Sequence, residues 1–299
     1  MRRIIVGSVV ACAAALIIGA CGGSAVSPSP PPGGGGGGQQ PPPVVNTPPQ
    51  IKSITVSDTR VEVGTPITVT ALVEDQETPV ANLTYTWSAD TGTFTGTGAV
   101  VTWLAPADAK TPADYTLTLT VTEGYASGSL VIENKTSSTT SVHVNNSPKE
   151  LADLSMRFLT DFANSSVSPE KCISEFSDVC GAGKQDELSN IKDNRHDFLI
   201  LASTLRPTSV ELAASRTSAK VHTFCSFTSR VITREPQSEG CTIVPGSCPF
   251  NSVGTGEGDC WTTNVYENGR WWLCESRYTG ASTLTPLMRA FFGIRREIP

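Results

Sequence analysis

The sequence predicts a multidomain chain in which an all-β sandwich is followed by an α+β domain, after a signal peptide and a disordered linker. Three observations carry this prediction. Residues 1–49 hold one apolar run and then mostly Gly and Pro, which cannot build a core. In residues 50–146, Thr alternates with Val, Leu and aromatic residues along short runs, which is the period of half-buried strands. In residues 147–299, apolar residues recur first at helical spacing and then at alternate positions.

The N-terminal residues have the pattern of a secretory signal peptide. Behind two arginines lies an apolar run at 4–20, which is about 17 residues and at the lower limit for crossing a bilayer. The run ends in Gly19-Ala20 directly before Cys21, and this order resembles the lipobox of bacterial lipoproteins. The resemblance implies that residues 1–20 are removed and that Cys21 is lipidated and becomes the mature N-terminus.

A lipidated Cys21 would place the protein in the cell envelope, anchored to a membrane without spanning it. Gly22 in the next position, in place of Asp, favours the outer membrane or the cell surface over the inner membrane, by analogy with enteric bacteria. Residues 21–49 then form a Gly/Pro-rich tether with a reach of roughly 30 Å. Removal of Arg2 and Arg3 takes the formal charge from −6 to −8, which excludes the basic footprint of a nucleic-acid-binding protein.

Three runs in residues 50–146 alternate apolar and hydroxyl side chains most clearly. They are Ile67, Val69, Ala71 and Val73; Leu83, Tyr85 and Trp87; and Tyr115, Leu117, Leu119 and Val121. With segments 46–49, 83–88 and 115–124, they resemble bacterial immunoglobulin-like domains of the PKD/cadherin-like kind. The resemblance implies a spacer sandwich of antiparallel strands, here without a cysteine. The acidic residues at 74–77 do not reproduce the calcium motifs of cadherin-like domains, so no metal site is predicted.

Three helices are expected at the start of the second domain. Apolar residues at helical spacing predict an amphipathic helix over 148–164: Leu151, Leu154, Phe158, Leu159 and Phe162. Pro169 begins a second helix that ends by Gly181, since Pro suits the first helical position. A third helix runs through Glu187 and Ile191. From Phe198 onward the period is two, which predicts strands.

Asn268-Gly269 marks a hairpin, because both positions of a type I′ turn need positive φ. In the expected register Glu267 faces Arg270, Val265 faces Trp272 and Thr263 faces Cys274, with Trp271 and Trp272 on opposite faces. Helices followed by an antiparallel sheet, with the hairpin segment 265–273, resemble the NTF2-like (cystatin-like cone) fold over residues 151–278. The resemblance implies a cone that in some members encloses an apolar cavity, where an Asp or His serves an isomerase, dehydratase or cyclase.

Seven cysteines follow Cys21, all in the second domain, and an exported protein is expected to join most of them as disulfides. Cys241 and Cys248, within a Gly/Pro-rich insertion, are the preferred pair. The hairpin register places Cys260 and Cys274 on opposite faces, which disfavours a bridge between them. The odd number leaves at least one cysteine unpaired or shared between chains. Without a C-x-x-C motif and with scattered histidines, no zinc site and no cofactor is predicted.

Two kinds of site follow from these residues. For binding, the hairpin aromatics Tyr266, Trp271 and Trp272 are the candidates, and the partner is an envelope protein or a small apolar ligand. For catalysis, His196 and Asp197 could act as a general acid–base pair, although a structural role with His196 exposed is favoured. Further acid–base candidates in the cone are Asp153, Asp161, His222 and Tyr266. His222 alternates with Val221 and Thr223, which favours a position on a sheet face. None of the common catalytic motifs is present.

The sequence therefore favours a membrane-anchored, non-enzymatic binding or interaction module carried on an immunoglobulin-like spacer. The alternative is a cone-type isomerase or dehydratase that acts on a small apolar ligand, and a third hypothesis is a purely structural envelope component. A cavity with a buried carboxylate or His would favour the enzyme. A filled cone with outward aromatic side chains would favour binding.

Overall fold

The structure, a computed structural model, describes residues 46–280 except 128, 239–240, 242–245 and 247. The predicted signal peptide, the lipidation of Cys21 and the tether up to residue 45 lie outside the described residues. Within the described part of the chain, no helix combines the length and the apolar character needed to cross a bilayer.

The first half of the described chain is a β-sandwich of two four-stranded sheets. Its strands are β1 (Gln50–Val56), β2 (Arg60–Glu62), β3 (Pro66–Glu74), β4 (Thr84–Ala89), β5 (Thr93–Thr95), β6 (Val100–Leu104), β7 (Ala113–Ser127) and β8 (Leu130–Asn145). One sheet has the order β1-β3-β6-β5 and the other the order β2-β8-β7-β4. β2 pairs with β8 in parallel, and the other neighbours pair antiparallel. The three alternating runs predicted from the sequence lie in or beside β3, β4 and β7.

Alternation along the strands builds the core of the sandwich. In β3 the residues Ile67, Val69, Ala71 and Val73 are buried and the residues between them are exposed. The tryptophan that fills the core is Trp103, which is fully buried, whereas Trp87 is only half buried. Gly92, with φ +81°, lies so close to Trp103 that an added Cβ would stand 2.5 Å from the indole Nε1. This loop position therefore needs glycine, both for its conformation and for the space that the indole takes.

The second half is an α+β domain with one meandering antiparallel sheet. Its helices are α1 (Ser147–Ala163), α2 (Pro169–Cys172) and α3 (Gly183–Asp197), with 3₁₀ turns at Ile173–Glu175 and Asp178–Cys180. Its strands are β9 (Phe198–Leu212), β10 (Ser218–Val231), β11 (Val253–Glu267) and β12 (Arg270–Gly280), in the order β12-β11-β10-β9. The helical spacing and the change of period at Phe198 predicted α1, α3 and the first strand.

Helix α1 follows the sandwich with a single residue between them, because β8 ends at Asn145 and α1 begins at Ser147. Asn146 caps the helix, and its side chain accepts a hydrogen bond from the Lys149 backbone N–H at 3.3 Å. The apolar face of α1 is buried together with residues of α3 and the sheet in one core cluster. The cap and the buried face together fix where the second domain starts.

The predicted second helix is wrong in its extent. α2 ends at Cys172, and two 3₁₀ turns replace the rest of it. Phe176 forms an isolated parallel bridge with Leu273 of β12, and the Ser177 backbone N–H donates to the Leu273 carbonyl at 2.7 Å. These contacts with a distant strand hold residues 176–177 extended, which local helical spacing could not reveal.

The late hairpin has the predicted turn and one register shift. Glu267 faces Arg270 and Val265 faces Trp272, as predicted. The expected pairing of Thr263 with Cys274 is wrong, because an irregularity between Thr263 and Asn264 moves Glu275 opposite Thr263. Cys274 is thereby left out of the ladder.

Three disulfides join six of the seven cysteines of this domain: Cys180–Cys274, Cys225–Cys260 and Cys241–Cys248. The Cys241–Cys248 bond is the pair that the sequence favoured, and Cys260 and Cys274 are not bonded to each other. Cys172 makes no disulfide and is buried. Burial raises the pKa of its thiol, which keeps it protonated and unreactive.

Candidate functional site

One guanidinium and two aromatic rings join the sandwich to the α+β domain. Arg60 of β2 places its guanidinium carbon 3.3 Å from the centre of the Tyr266 ring and 5.4 Å from that of Trp271. Its Nε donates to Asn145 Oδ1 at 2.9 Å, and its Nη1 donates to the backbone carbonyl of Arg216. Burial lowers the pKa of Arg60 and raises that of Tyr266, yet an arginine remains charged. The stack therefore combines cation–π attraction with charge-assisted hydrogen bonds.

Further hydrogen bonds surround this stack. Trp271 Nε1 donates to Ser147 Oγ at 3.0 Å, and the Tyr266 hydroxyl donates to Asn145 Oδ1 at 3.1 Å. The Ser147 hydroxyl and backbone N–H in turn donate to Glu62, at 2.6 and 2.8 Å. We name this set the domain joint: Arg60, Glu62, Asn145, Ser147, Tyr266 and Trp271. Because its polar groups are bonded to one another across the two domains, the domain joint fixes their relative orientation.

The domain joint includes two of the three aromatic residues that were predicted to bind a partner, Tyr266 and Trp271. Trp271 is 4% exposed, and Tyr266 lies under the Arg60 guanidinium. Trp272 is half buried, and the Arg270 guanidinium carbon lies 3.5 Å from the centre of its ring. The expectation that Trp271 is an outward contact residue is therefore wrong, because its ring packs between the domains. A binding role of the hairpin remains a hypothesis for Trp272.

His196 and Asp197, the predicted acid–base candidates, lie at the end of α3. The Asp197 carboxylate is fully buried and accepts the Gln237 backbone N–H at 2.9 Å and the Ser238 backbone N–H at 2.6 Å. His196 Nδ1 lies 2.8 Å from Asp197 Oδ1, while the His196 ring is exposed. Neither residue lines the interior cavity beside Phe158 and Glu187. The geometry is that of an anchor for the chain at 237–238, and the carboxylate is already saturated with donors.

A small cavity lies between α1, α3 and the inner face of the sheet. Phe158, Leu159 and Phe162 of α1 form its apolar wall, and Glu187 and Ser276 contribute polar groups. It measures about 20 Å³, which is room for about one water molecule. Around it, buried side chains of α1, α3 and the sheet pack into one core cluster. A cavity of this size has no room for a substrate.

Glu187 is a buried carboxyl group in the wall of this cavity. Burial raises its pKa to about 7, against the opposing effect of hydrogen bonds with Ser276 and Asn190. The helical pattern predicts a helix at Glu187 but does not by itself indicate that this side chain is buried. The available signal was its position four residues before Ile191, since residues so spaced share one face of a helix.

This carboxyl group is expected to make stability fall as pH rises. The unfolded chain ionises near the ordinary value of 4.5, whereas folded Glu187 stays protonated up to about pH 7. Between these values the folded state holds one more proton, so the free energy of unfolding should decline by about 1.4 kcal/mol per pH unit. Above pH 7 the stabilisation that protonated Glu187 gives to the folded state is lost completely. Urea unfolding from pH 4.5 to 8 should show this decline in the wild type and in the exposed control Glu133→Gln, but not in Glu187→Gln. Parallel profiles for all three proteins would contradict the assignment.

A larger groove lies on the outer face of the sheet, which is the face turned away from α1 and α3. In β10, Val221, Thr223, Cys225 and Phe227 are buried on the inner face, and His222 and Phe224 alternate with them. The groove measures about 370 Å³ and is lined by residues of β9, β10 and β11. His222 therefore lies on a sheet face, as its alternation with Val221 and Thr223 predicted.

His222 is held between two carboxylates in this groove. Its Nδ1 lies 2.6 Å from Asp259 Oδ2, and its Nε2 lies 3.5 Å from Glu211 Oε1 without a hydrogen bond. Phe224 and Ser209 also line the groove. Asp259 fixes the orientation of the imidazole, so a positioned ring, a hydroxyl and carboxylate oxygens line the groove. Among the described residues, no group of three or more His, Cys, Asp and Glu side chains is arranged to hold a metal ion.

No protein-family model matches the chain, and no curated protein matches it. Among solved structures, the intermembrane-space region of the chloroplast protein ARC6 is 13% identical, with a TM-score of 0.29, and the match covers 44% of this chain and 97% of that one. A scytalone dehydratase-like protein from Novosphingobium aromaticivorans is 15% identical, with a TM-score of 0.31, covering 44% and 83%. A calcium/calmodulin-dependent protein kinase II association domain-like protein from Xanthomonas campestris is 11% identical, with a TM-score of 0.28, covering 46% and 89%. The mostly β architecture with a few helices is compatible with a sandwich and a cone-type domain, and scores of this size support no activity.

Proposed function

We propose that the protein is a bacterial envelope lipoprotein that presents a non-enzymatic binding module at a distance from the membrane. In this proposal lipid on Cys21 is the anchor, and residues 22–49 are the tether. Strands β1 to β8 form an immunoglobulin-like spacer of the PKD kind, and the NTF2-like second domain is the binding module. The signal-like N-terminus, the Gly/Pro-rich composition and the disulfides of the second domain support an exported, anchored protein.

The observation that carries a binding function is the contrast in volume between the interior cavity beside Glu187 and the outer groove around His222. The interior cavity of about 20 Å³ has no room for a substrate, whereas the outer groove of about 370 Å³ is open to a partner. The groove carries the carboxylates of Glu211 and Asp259 together with His222. Such a lining suits a polar or cationic segment of an envelope partner better than a small apolar ligand.

The domain joint supports the role of the sandwich as a spacer. A module that must be held away from a surface gains from a rigid connection, because a flexible one would let it fold back. Arg60 and the buried polar groups around it supply that rigidity.

Site-specific photocrosslinking in the producing cells tests the binding proposal. A photoreactive benzoylphenylalanine at Ser209, in the groove, should give one defined higher-mass adduct. Benzoylphenylalanine in place of Thr68, which is an exposed residue of β3 in the sandwich, should give no adduct. Asp259→Asn, which removes the carboxylate that His222 Nδ1 contacts, should reduce the adduct at Ser209 severalfold. Equal adducts at both positions, or none at Ser209, would count against the groove as the binding surface.

One observation favours the alternative, a cone-type enzyme: Glu187 is a buried carboxyl group with a raised pKa beside an apolar wall. An enzyme of this kind must open the cavity to admit a small apolar ligand. A saturating ligand would then raise the unfolding temperature of the wild type, and the cavity-filling variant Leu159→Trp would abolish that rise. Thermal unfolding with a panel of small apolar carbonyl compounds decides this point.

A further inference from the structure

The β7–β8 hairpin extends beyond the sandwich to which it belongs. The last β7 residue paired with β4 is Thr122. Beyond it, five pairs from Glu123–Asn134 to Ser127–Leu130 join β7 only to β8. In the described residues no third strand pairs with this part of the hairpin. At about 3.3 Å per residue, the end of the hairpin projects roughly 15 Å past its neighbour β4.

The projecting end is apolar and exposed. Leu130, Val131 and Ile132 are 68%, 79% and 39% exposed, and they are consecutive. Val131 pairs with Ala126 and Ile132 with Tyr125, so both faces of the end carry apolar side chains. The middle of β8 is instead made of Ser and Thr, from Thr136 to Ser141. We name the group Tyr125, Ala126, Leu130, Val131 and Ile132 the hairpin tip. An apolar group of this kind at the end of a projecting hairpin marks an interaction surface.

The hairpin tip lies at the end of the sandwich where the described chain begins. Asn46 Nδ2 donates to Glu123 Oε2 at 2.5 Å, at the base of the projecting part. The Thr47 hydroxyl donates to Glu77 Oε2 at 2.7 Å at the same end. By sequence, 24 residues separate Cys21 from Asn46. A Gly/Pro-rich tether of that length reaches roughly 25–30 Å, which exceeds the projection of the hairpin. A lipid on Cys21 and the hairpin tip can therefore meet the same membrane surface.

We propose that the hairpin tip inserts into the surface of the bilayer that carries the anchor. This inference rests on the proposed lipid anchor. The contact would orient the sandwich with this end toward the membrane and the α+β domain away from it. Glu133 and Lys135, which flank the hairpin tip, form an ion pair with each other at 2.9 Å, so they add no net charge. Insertion is therefore driven by apolar burial and needs no anionic headgroup. Binding to zwitterionic vesicles should be nearly independent of salt.

Vesicle sedimentation of protein without lipid tests this contact separately from the anchor. Residues 22–299, secreted behind an unrelated cleavable signal peptide, keep every described element and lack Cys21. This protein should partition onto phosphatidylcholine vesicles. The variant Leu130→Ser/Val131→Ser/Ile132→Ser should partition at least tenfold more weakly. Val131→Trp should partition at least threefold more strongly, because the larger apolar side chain buries more area in the bilayer.

The matched control replaces three other exposed apolar residues of the sandwich. Leu72, Val80 and Val100 are between 47% and 57% exposed, and Leu72→Ser/Val80→Ser/Val100→Ser should sediment like the wild type. Failure of the unsubstituted lipid-free protein to bind vesicles would overturn the proposal. Equal losses of binding in both triple variants would overturn it as well. If analytical ultracentrifugation instead shows a dimer that only the tip variant abolishes, the hairpin tip binds a second copy and the membrane contact is wrong. If the tip-dependent vesicle binding holds but Cys21 of the full-length protein carries no lipid in cells, the anchor proposal is wrong and the hairpin-tip contact stands.

Discussion

Replacement of Arg60 by Ala is expected to lower the free energy of unfolding by about 3 kcal/mol. The variant loses a guanidinium stacked 3.3 Å over Tyr266, which is worth about 0.5–2 kcal/mol. It also loses the hydrogen bonds to Asn145 Oδ1 and to the Arg216 carbonyl, and hydrogen bonds to a charged group contribute about 1.5–3 kcal/mol. Urea unfolding followed by tryptophan fluorescence measures the loss, since Trp271 lies in the domain joint.

Two further variants separate the domain joint from general effects of removing a cation. Arg60→Lys keeps the charge but not the planar fork, so it should recover less than half of the loss. Lys52→Ala removes an exposed cation from β1 of the same sandwich and should cost less than about 0.5 kcal/mol. If Arg60→Ala proved as harmless as Lys52→Ala, the two domains would not be joined as described.

Removal of the Cys180–Cys274 disulfide is expected to have the largest effect on stability of any change considered. The bond spans 94 residues, and the loop-closure entropy of a chain of that length corresponds to about 4–5 kcal/mol. The bond also fixes the 3₁₀ turn at Asp178–Cys180 to β12. Cys180→Ser/Cys274→Ser should therefore unfold at a much lower urea concentration than the wild type.

The Cys241–Cys248 bond provides the matched comparison, because its sequence separation is only 7. Cys241→Ser/Cys248→Ser should lose about 2–3 kcal/mol, roughly half the effect of the long-range pair. Intact-mass analysis after alkylation confirms that each double variant retains the other two bonds. Equal destabilisation by the two double variants would show that loop length does not govern their contributions.

The sequence predicted most strands and two of the three helices because their signals are local. Val69 and Leu117 alternate with threonines, and α1 shows its apolar face at helical spacing. The failures have one physical cause, which is pairing between distant segments. Pairing with Leu273 holds Phe176 and Ser177 extended where a helix was predicted. A register shift between Thr263 and Asn264 leaves Cys274 without a partner in the β11–β12 ladder.

The candidate site was less accessible to the sequence than the fold was. A hairpin rich in aromatic residues predicts an important contact, but not whether that contact is with a partner or with another domain. Arg60 decides the point, and nothing in its local sequence relates it to Tyr266 or Trp271. The burial of Glu187 and the pairing of His222 with Asp259 likewise depend on elements that meet only in the folded chain.

Labelling with palmitate tests the central claim, that the protein is a lipid-anchored display of its folded domains. Cells that produce the wild type in the presence of labelled palmitate should yield labelled protein in the membrane fraction. Cys21→Ser should carry no label, and Cys172→Ser, which removes a buried thiol of the α+β domain, should be labelled like the wild type. An unlabelled wild type, or a Cys21→Ser variant that still incorporates palmitate, would contradict the account.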